Sequence, residues 1–394
     1  MRTRLAAGLI VALAVCAPAQ AATSACQTLA GQIDTKTAPL FLASYPTQVS
    51  GPLGGVAFLY DNAAATIALI GCGETAKARR IGDAMLWALD HDRYWHDGRL
   101  RNAYIAGPAT DAPLKLPGWW DAKQNKWIED QYQVGSDSGN LAWAMLALIA
   151  LTRASHDARY LTAAERIGAH VAQSFDPHAP AGFSGGVLGG EPSPMPYKWK
   201  STEHNTDLAA AFAQLAALTH DNRWQMQSER AARFVDGMWR ADCSCFDAGS
   251  GEDGAARNPF RALDAQLWPW LAIPGATARY AGALASARRD MGVRGGFAYS
   301  QSKDAVWTEG TAQAALLMEL SKQDAGAALA AIERNRAPDG YYAVDTAQSQ
   351  TSFLLDTDRS KPRAYFHMPH LAALAWAALA QTRLNPFTGS GALP

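Results

Sequence analysis

The chain has almost no net charge. Its 35 Lys and Arg oppose 36 Asp and Glu, for a formal charge of −1. Without a basic excess there is little counterion release to drive phosphate binding, which argues against a nucleic-acid partner. There is equally no polybasic patch to hold a membrane surface. Charged residues are also scarce, at 18%, so a large core can be buried. Cysteine is rare too, with five residues. Cys16 lies in an N-terminal apolar stretch, and Cys26, Cys72, Cys243 and Cys245 remain. Four cysteines allow three pairings, and spacing does not choose among them. Cys243 and Cys245 stand too close for an easy bridge to each other, and a C-x-C with two scattered thiols is no zinc framework. The expectation is a stabilising disulfide or two and no metal.

Other signatures are missing. No G-x-x-x-x-G-K-[ST] and no dinucleotide fingerprint after a strand occurs, so no cofactor is expected. No H-x-x-x-H or H-E-x-x-H spacing is present, and Pro369 between His367 and His370 marks a helix start rather than a metal pair. Gly182-Phe183-Ser184-Gly185-Gly186 spells G-x-S-x-G, but DPHAPA before it and VLGGEPSP after it supply neither the strand nor the helix of a nucleophile elbow. The stretch reads as a glycine-rich loop. The one long apolar run is at the start. There Arg2 and Arg4 precede Leu5 to Cys16, and Ala19-Gln20-Ala21 forms a small-x-small cleavage site. Residues 1–21 therefore read as a secretory signal, with Val15 before Cys16 too bulky for a lipoprotein site. The mature chain, 22–394, is expected in a periplasm or outside the cell, without a stable membrane anchor.

What the chain has in abundance is Ala-rich helix. Six segments share one design: YDNAAATIALI from Tyr60, SDSGNLAWAMLALIAL from Ser136, TEHNTDLAAAFAQLAAL from Thr202, LDAQLWPWLAI from Leu263, TEGTAQAALLMEL from Thr308 and MPHLAALAWAALA from Met368. Each starts polar and continues apolar around almost its whole circumference, the pattern of a helix buried on all sides. The first five are each followed by an amphipathic helix, such as TAKARRIGDAMLWALDH or DNRWQMQSERAARFVDGMW, with charge on one face for solvent. The joins GCGE, SHD and THDN are natural helix stops and starts. The sixth lacks a downstream partner, which CQTLAGQIDTKTAPLFLASY near the N-terminus can supply by closing a ring. A period of roughly 50 to 70 residues exceeds that of ordinary helical repeats. Long loops, about Asp92–Gly135, Phe175–Thr202, Asp247–Arg261, Gly292–Trp307 and Ala337–Phe366, precede inner helices and gather at one end. Such loops are usually functional.

These six paired helices, with the helix starts YD, STEHN, LDAQLW and TEGTAQ, resemble the (α/α)6 toroid of the six-hairpin glycosidase superfamily over nearly the whole mature chain. The resemblance implies an all-α ring with its long loops at one mouth and the inner-helix starts lining a central cavity. Related toroids include hydrolases, polysaccharide lyases, sugar epimerases and non-sugar enzymes, so fold analogy does not choose the activity.

A cavity at the mouth explains why TEHNTD crowds polar groups onto a helix about to be buried: they can line a wet cleft. Carboxyls recur at the helix starts, in Asp61, Asp137, Glu203, Asp207, Asp264 and Glu309. Glycoside hydrolysis needs one protonated carboxyl for the leaving oxygen and one ionised carboxyl to activate water, and crowding pushes their pKa values apart. Acids at helix starts are also favoured by the macrodipole and by capping. Glu203 and Glu309 stand out because Thr202 and Thr308 before them can cap. Glu203 is expected as general acid, and Asp61 or Glu309 as base, with Asp61 favoured across the ring. Tyr60, Asp137, Asn140, Trp199, His204, Asn205, Asp207, Asp264, Gln313 and Trp120 are expected to bind a carbohydrate. Related toroids mostly invert, so the resemblance implies inversion. Two rivals stay open. One is a lyase or epimerase using Lys198, Lys200, Tyr197 or His204. The other is a silent glycan-binding protein, in which no close carboxylate pair is expected. Oligomeric state is not legible.

Overall fold

The computed structural model describes residues 24–354 and 361–394, apart from Thr35, Thr37 and Val49. The expected secretory signal, residues 1–21, lies outside the described residues. Six inner helices appear where the Ala-rich segments predicted them: Leu59–Gly71, Ser138–Ser155, Thr202–Thr219, Leu263–Ala272, Thr308–Leu320 and Leu371–Thr382. Each packs against the next, and the sixth packs against the first, so they close a ring. Ala side chains on every face let the helices approach closely while keeping helix propensity high. The fourth is the shortest of the six because Pro269 lies within it and Pro274 follows just beyond its end.

Amphipathic helices Thr75–His91, Ala158–Val171, Asn222–Met238 and Gly326–Arg334 form an outer layer. The expected fourth outer helix is broken into Ala276–Arg279 and Ala283–Met291. Gly282 between them sits at φ +94, a left-handed conformation that interrupts the helix. The sixth partner is the N-terminal helix Ala25–Gly31, which packs on the sixth and first inner helices. A Cys26–Cys72 disulfide ties it to the end of the first. The SHD and THDN joins work through two residues. His156 and His220 take left-handed cap conformations, and Asp157 and Asp221 then cap the outer helices.

The long loops contain short antiparallel strand pairs that an all-helical reading did not contain. Four follow outer helices in the same place: Phe175–Asp176 with Gly182–Phe183, Trp239–Arg240 with Cys245–Phe246, Gly292–Val293 with Gly296–Phe297, and Arg336–Ala337 with Gly340–Tyr341. The next inner helix grips three of them. Asn205 donates to and accepts from the Phe183 backbone, Gln266 does the same to Phe246, and Thr311 to Phe297. Cys243 and Cys245 are bridged, contrary to the expectation that they stand too close. They sit in the turn of one of these pairs, where Ser244 at φ 51 folds the chain back sharply enough to bring the sulfurs together.

Candidate active site

The inner-helix starts open on a cavity of about 210 Å³. Its lining includes Tyr60, Asp61, Asp137, Asn140, Glu203, His204, Asp264 and Glu309, so eight expected site residues from five of the six inner-helix starts meet in one place. His370, at the start of the sixth, completes the circle. Most of these helices lack a side-chain cap: Phe58, Asp137, Ala262, Trp307 and His370 hold the cap position without one. The exception is Ser201, which accepts from the His204 amide. The positive ends of the inner helices are thus turned toward the carboxyl cluster, which favours negative charge there. Thr202 and Thr308 are not the caps they were expected to be. Their hydroxyls reach outward to the loop carbonyls of Asp247 and Tyr342.

Glu203 and Asp264 start adjacent inner helices, and their carboxyls hydrogen-bond to each other. Burial holds Glu203 well above the ordinary carboxyl range, and the negative charges of Asp264, Asp207 and Glu309 push it further. Burial also lifts Asp264 to about 6, against the pull of the Ala265 amide and of Glu203. Of the two, Glu203 holds its proton the more tightly, because burial and three neighbouring carboxyls all act on it in the same direction.

Glu309 forms a second node. Its Oε1 accepts from the Tyr60 hydroxyl at 2.5 Å and from Gln313 Nε2 at 3.3 Å. The Tyr60 oxygen in turn accepts from Trp376 Nε1 at 2.7 Å. Burial raises Glu309 to about 8 although His370 and Tyr60 pull it down, so it is protonated at neutral pH. That argues against Glu309 as the base.

Asp61 faces His370, with Nε2 3.3 Å from Oδ2, close enough for an ion pair but off the line of a hydrogen bond. Burial disfavours the imidazolium, yet Asp61 and Glu309 outweigh it and raise His370 above its ordinary value. His204 goes the other way. Burial drops it to about 4, leaving it neutral, and its Nδ1 meets Ser138 Oγ at 3.1 Å. Its ring lies so close to Gly139 that a Cβ there would be 2.5 Å from His204 Cδ2.

Several expected binding residues do other work. Asn205 is wholly buried and spends its amide on Phe183 and Ser201 backbone. It is a structural pin, because the fourth residue of the helix points at the preceding hairpin rather than at the mouth. Asp207 and Gln313 are fully buried and do not line the cavity, each standing one turn below a first-turn Glu. Burial and Asp264 raise Asp207 well above the ordinary carboxyl range, with the Trp143 indole opposing. Trp120 is 58% exposed on the hairpin Trp119–Asp121 with Lys126–Ile128, and is not among the cavity-lining residues. Trp199 lies against Gly185, where a Cβ would be 2.4 Å from the indole, and lines an adjoining cleft instead. Lys200 is buried and paired with Asp176 at 2.7 Å, away from the central cavity.

Sequence reasoning placed His370 at the mouth and Tyr299 in a loop above it, and both line the cavity, but it missed Tyr45, Trp143, Trp268, Trp307, Arg363 and Tyr365. Trp143, Trp268 and Trp376 stack and edge onto one another beneath Tyr60 as an aromatic floor. Their signal was available, since each is a Trp inside an Ala-rich inner helix. Arg363 and Tyr365 come from the long hairpin of Gln348–Leu354 and Pro362–Phe366, whose sequence carries no mark of the ring. Among the described residues, no group of three or more His, Cys, Asp or Glu is arranged to hold a metal ion.

No family model matches the chain, and no curated protein matches its sequence. Solved structures do match its fold. A glycosidase shares 13% identity at a TM-score of 0.59, covering 92% of this chain and 95% of its own. A GH76 α-mannanase of Bacteroides thetaiotaomicron shares 13% at a TM-score of 0.54 over the same proportions. A sugar epimerase from a ruminal bacterium shares 10% at a TM-score of 0.60, covering 91% and 96%. The resemblance in fold is borne out over nearly the whole described chain. At these identities it is a likeness of fold alone.

Proposed function

We propose that this chain is an exported glycoside hydrolase, a single toroid over 22–394 acting on an oligo- or polysaccharide. The observation that carries the reading is the cavity itself. It gathers five carboxyls, Asp61, Asp137, Glu203, Asp264 and Glu309, of which Glu203 is held protonated beside an ionisable partner while Asp61 faces His370. Glu203 gives its proton to the glycosidic oxygen as the bond from that oxygen to the anomeric carbon breaks. A water supplies hydroxide to the anomeric carbon, and Asp61 takes the water's other proton. Asp264 then helps Glu203 regain a proton from solvent. Inversion follows if the water enters opposite the leaving oxygen. The glycosidase and mannanase sharing the fold support the hydrolytic reading.

A polyuronate lyase is less well supported, because the cavity's cationic groups, Arg363 and His370, stand among five carboxyls and the expected lysines lie elsewhere. Lys200 is committed to Asp176, and Lys198 and Tyr197 line a separate cleft. The carboxyl pair also counts against a silent binder. Sugar epimerisation is the second reading, favoured by one observation: His204 is neutral in the cavity and able to accept a proton. Mass spectrometry and proton NMR of products from a panel of neutral and acidic saccharides test all of these. Fragments that gain one water and vanish with Glu203→Gln support the hydrolase. An isomer of unchanged mass puts the epimerase first, and unsaturated fragments put the lyase first.

A further inference from the structure

The Glu203–Asp264 pair does not lie deep in one cavity. Glu203, Asp264 and Tyr299 also line a second cleft of about 210 Å³, between the third and fourth inner-helix starts, whose far side is formed by Trp199, Gly251 and Asn258. The proton-bearing carboxyls thus stand at a junction, with the Asp61–His370 pair and the aromatic floor on one side only. Each space is smaller than the roughly 300–1,000 Å³ that encloses a drug-sized ligand, so each suits about one saccharide ring. A general acid belongs between the ring that keeps the anomeric carbon and the group that leaves with the oxygen.

We infer that the central cavity takes a single terminal sugar ring and that the cleft between Trp199, Gly251 and Asn258 takes the leaving saccharide, so that the enzyme removes one residue at a time from a chain end. This rests on the hydrolase reading. The ring in the central cavity has the water-activating Asp61 beside it. The leaving ring meets Tyr299 and Trp199, whose flat faces suit the apolar C–H face of a sugar. Cleavage of the bond at the junction sends the proton of Glu203 to the oxygen in the cleft.

Gly251 offers a way to close that cleft alone. Its backbone does not need glycine, and a Cβ there would meet nothing nearer than 3.6 Å. The experiment compares wild type, Gly251→Ala and Gly251→Trp on glycosyl fluorides of common hexoses, in both anomers, and on the matching trisaccharides. Fluoride fills almost none of the cleft, whereas a disaccharide leaving group fills it. The expected result is a loss of kcat/KM of about ten-fold or more on the trisaccharide with Gly251→Trp, and fluoride hydrolysis within about two-fold of wild type. Wild type should release monosaccharide and disaccharide in equal amounts from the trisaccharide at early times. Equal loss on both substrates, no loss on either, or early internal cleavage of the trisaccharide's longer homologues overturns the inference and leaves the hydrolase standing. No cleavage of any fluoride or trisaccharide by wild type overturns the hydrolase reading beneath it. Gly251→Ala, with unchanged thermal unfolding, shows that the position tolerates a side chain.

Discussion

The Tyr60 hydroxyl donates to Glu309 Oε1 at 2.5 Å, joining the first inner helix to the fifth across the floor of the cavity. The contact keeps a buried carboxyl oriented and pulls its pKa down from where burial alone would leave it. Tyr60→Phe removes that donor and leaves Trp376 Nε1 without its acceptor. The expected outcome is a loss of stability of about 1–3 kcal/mol in chemical denaturation from the unpaired indole, with kcat and KM within about two-fold of wild type, because the proposed chemistry runs through Glu203 and Asp61 and not through Glu309. Steady-state kinetics check this. A rise in KM at constant kcat would instead make Tyr60 a direct substrate contact.

Glu203→Gln keeps the shape of a carboxyl that is already protonated, so folding should be almost unchanged. The acid, however, is gone. Hydrolysis of natural saccharides should fall by about 10²–10⁴-fold. Glycosyl fluorides need no proton on the leaving group and should lose far less. Parallel losses on both substrates would take the general-acid role away from Glu203.

Asp207 provides a pH test of stability. Its folded pKa lies above its ordinary 3.8, pushed up by burial first and by Asp264 second. Above pH 4 the unfolded chain has released a proton that the folded chain still holds, so stability falls as pH rises through the folded pKa. Glu309, raised from 4.5 to about 8, acts in the same sense between those values. Asp207→Asn cannot ionise. Its melting temperature should match wild type below about pH 4 and exceed it increasingly as the pH rises from there. A gap that closes with rising pH would mean that Asp207 is ionised in the folded protein.

Asn205 separates structure from chemistry. Asn205→Ala leaves the Phe183 N–H and C=O without their side-chain partner inside the ring. Unsatisfied buried groups cost about 1–3 kcal/mol each, so chemical denaturation should show a clear loss of stability. The kcat of the folded fraction should stay near wild type. Unchanged stability with lost activity would return Asn205 to the substrate.

The architecture was legible because helix burial writes itself into local periodicity. The segment SDSGNLAWAMLALIAL needs no distant residue to be read as a helix buried all round, and TAKARRIGDAMLWALDH needs none to be read as its outer partner. The recurring strand pairs were also within reach, since GF, CF, GF and GY follow four outer helices at Gly182, Cys245, Gly296 and Gly340. Their meaning was not, because only the ring shows that Asn205, Gln266 and Thr311 hold them. Trp120 misled for a related reason: an exposed aromatic in a long loop has no local mark of where the loop ends up.

The sequence by itself determined six hairpins, a polar mouth and a supply of carboxyls at inner-helix starts, since these depend on composition and period within a few turns. Only the tertiary structure decided which carboxyls meet. Glu203 and Asp264 lie 61 positions apart, and Tyr60 and Glu309 lie 249 apart. Their protonation states come from shared burial and from charges on neighbouring helices, and those exist only once the ring has closed.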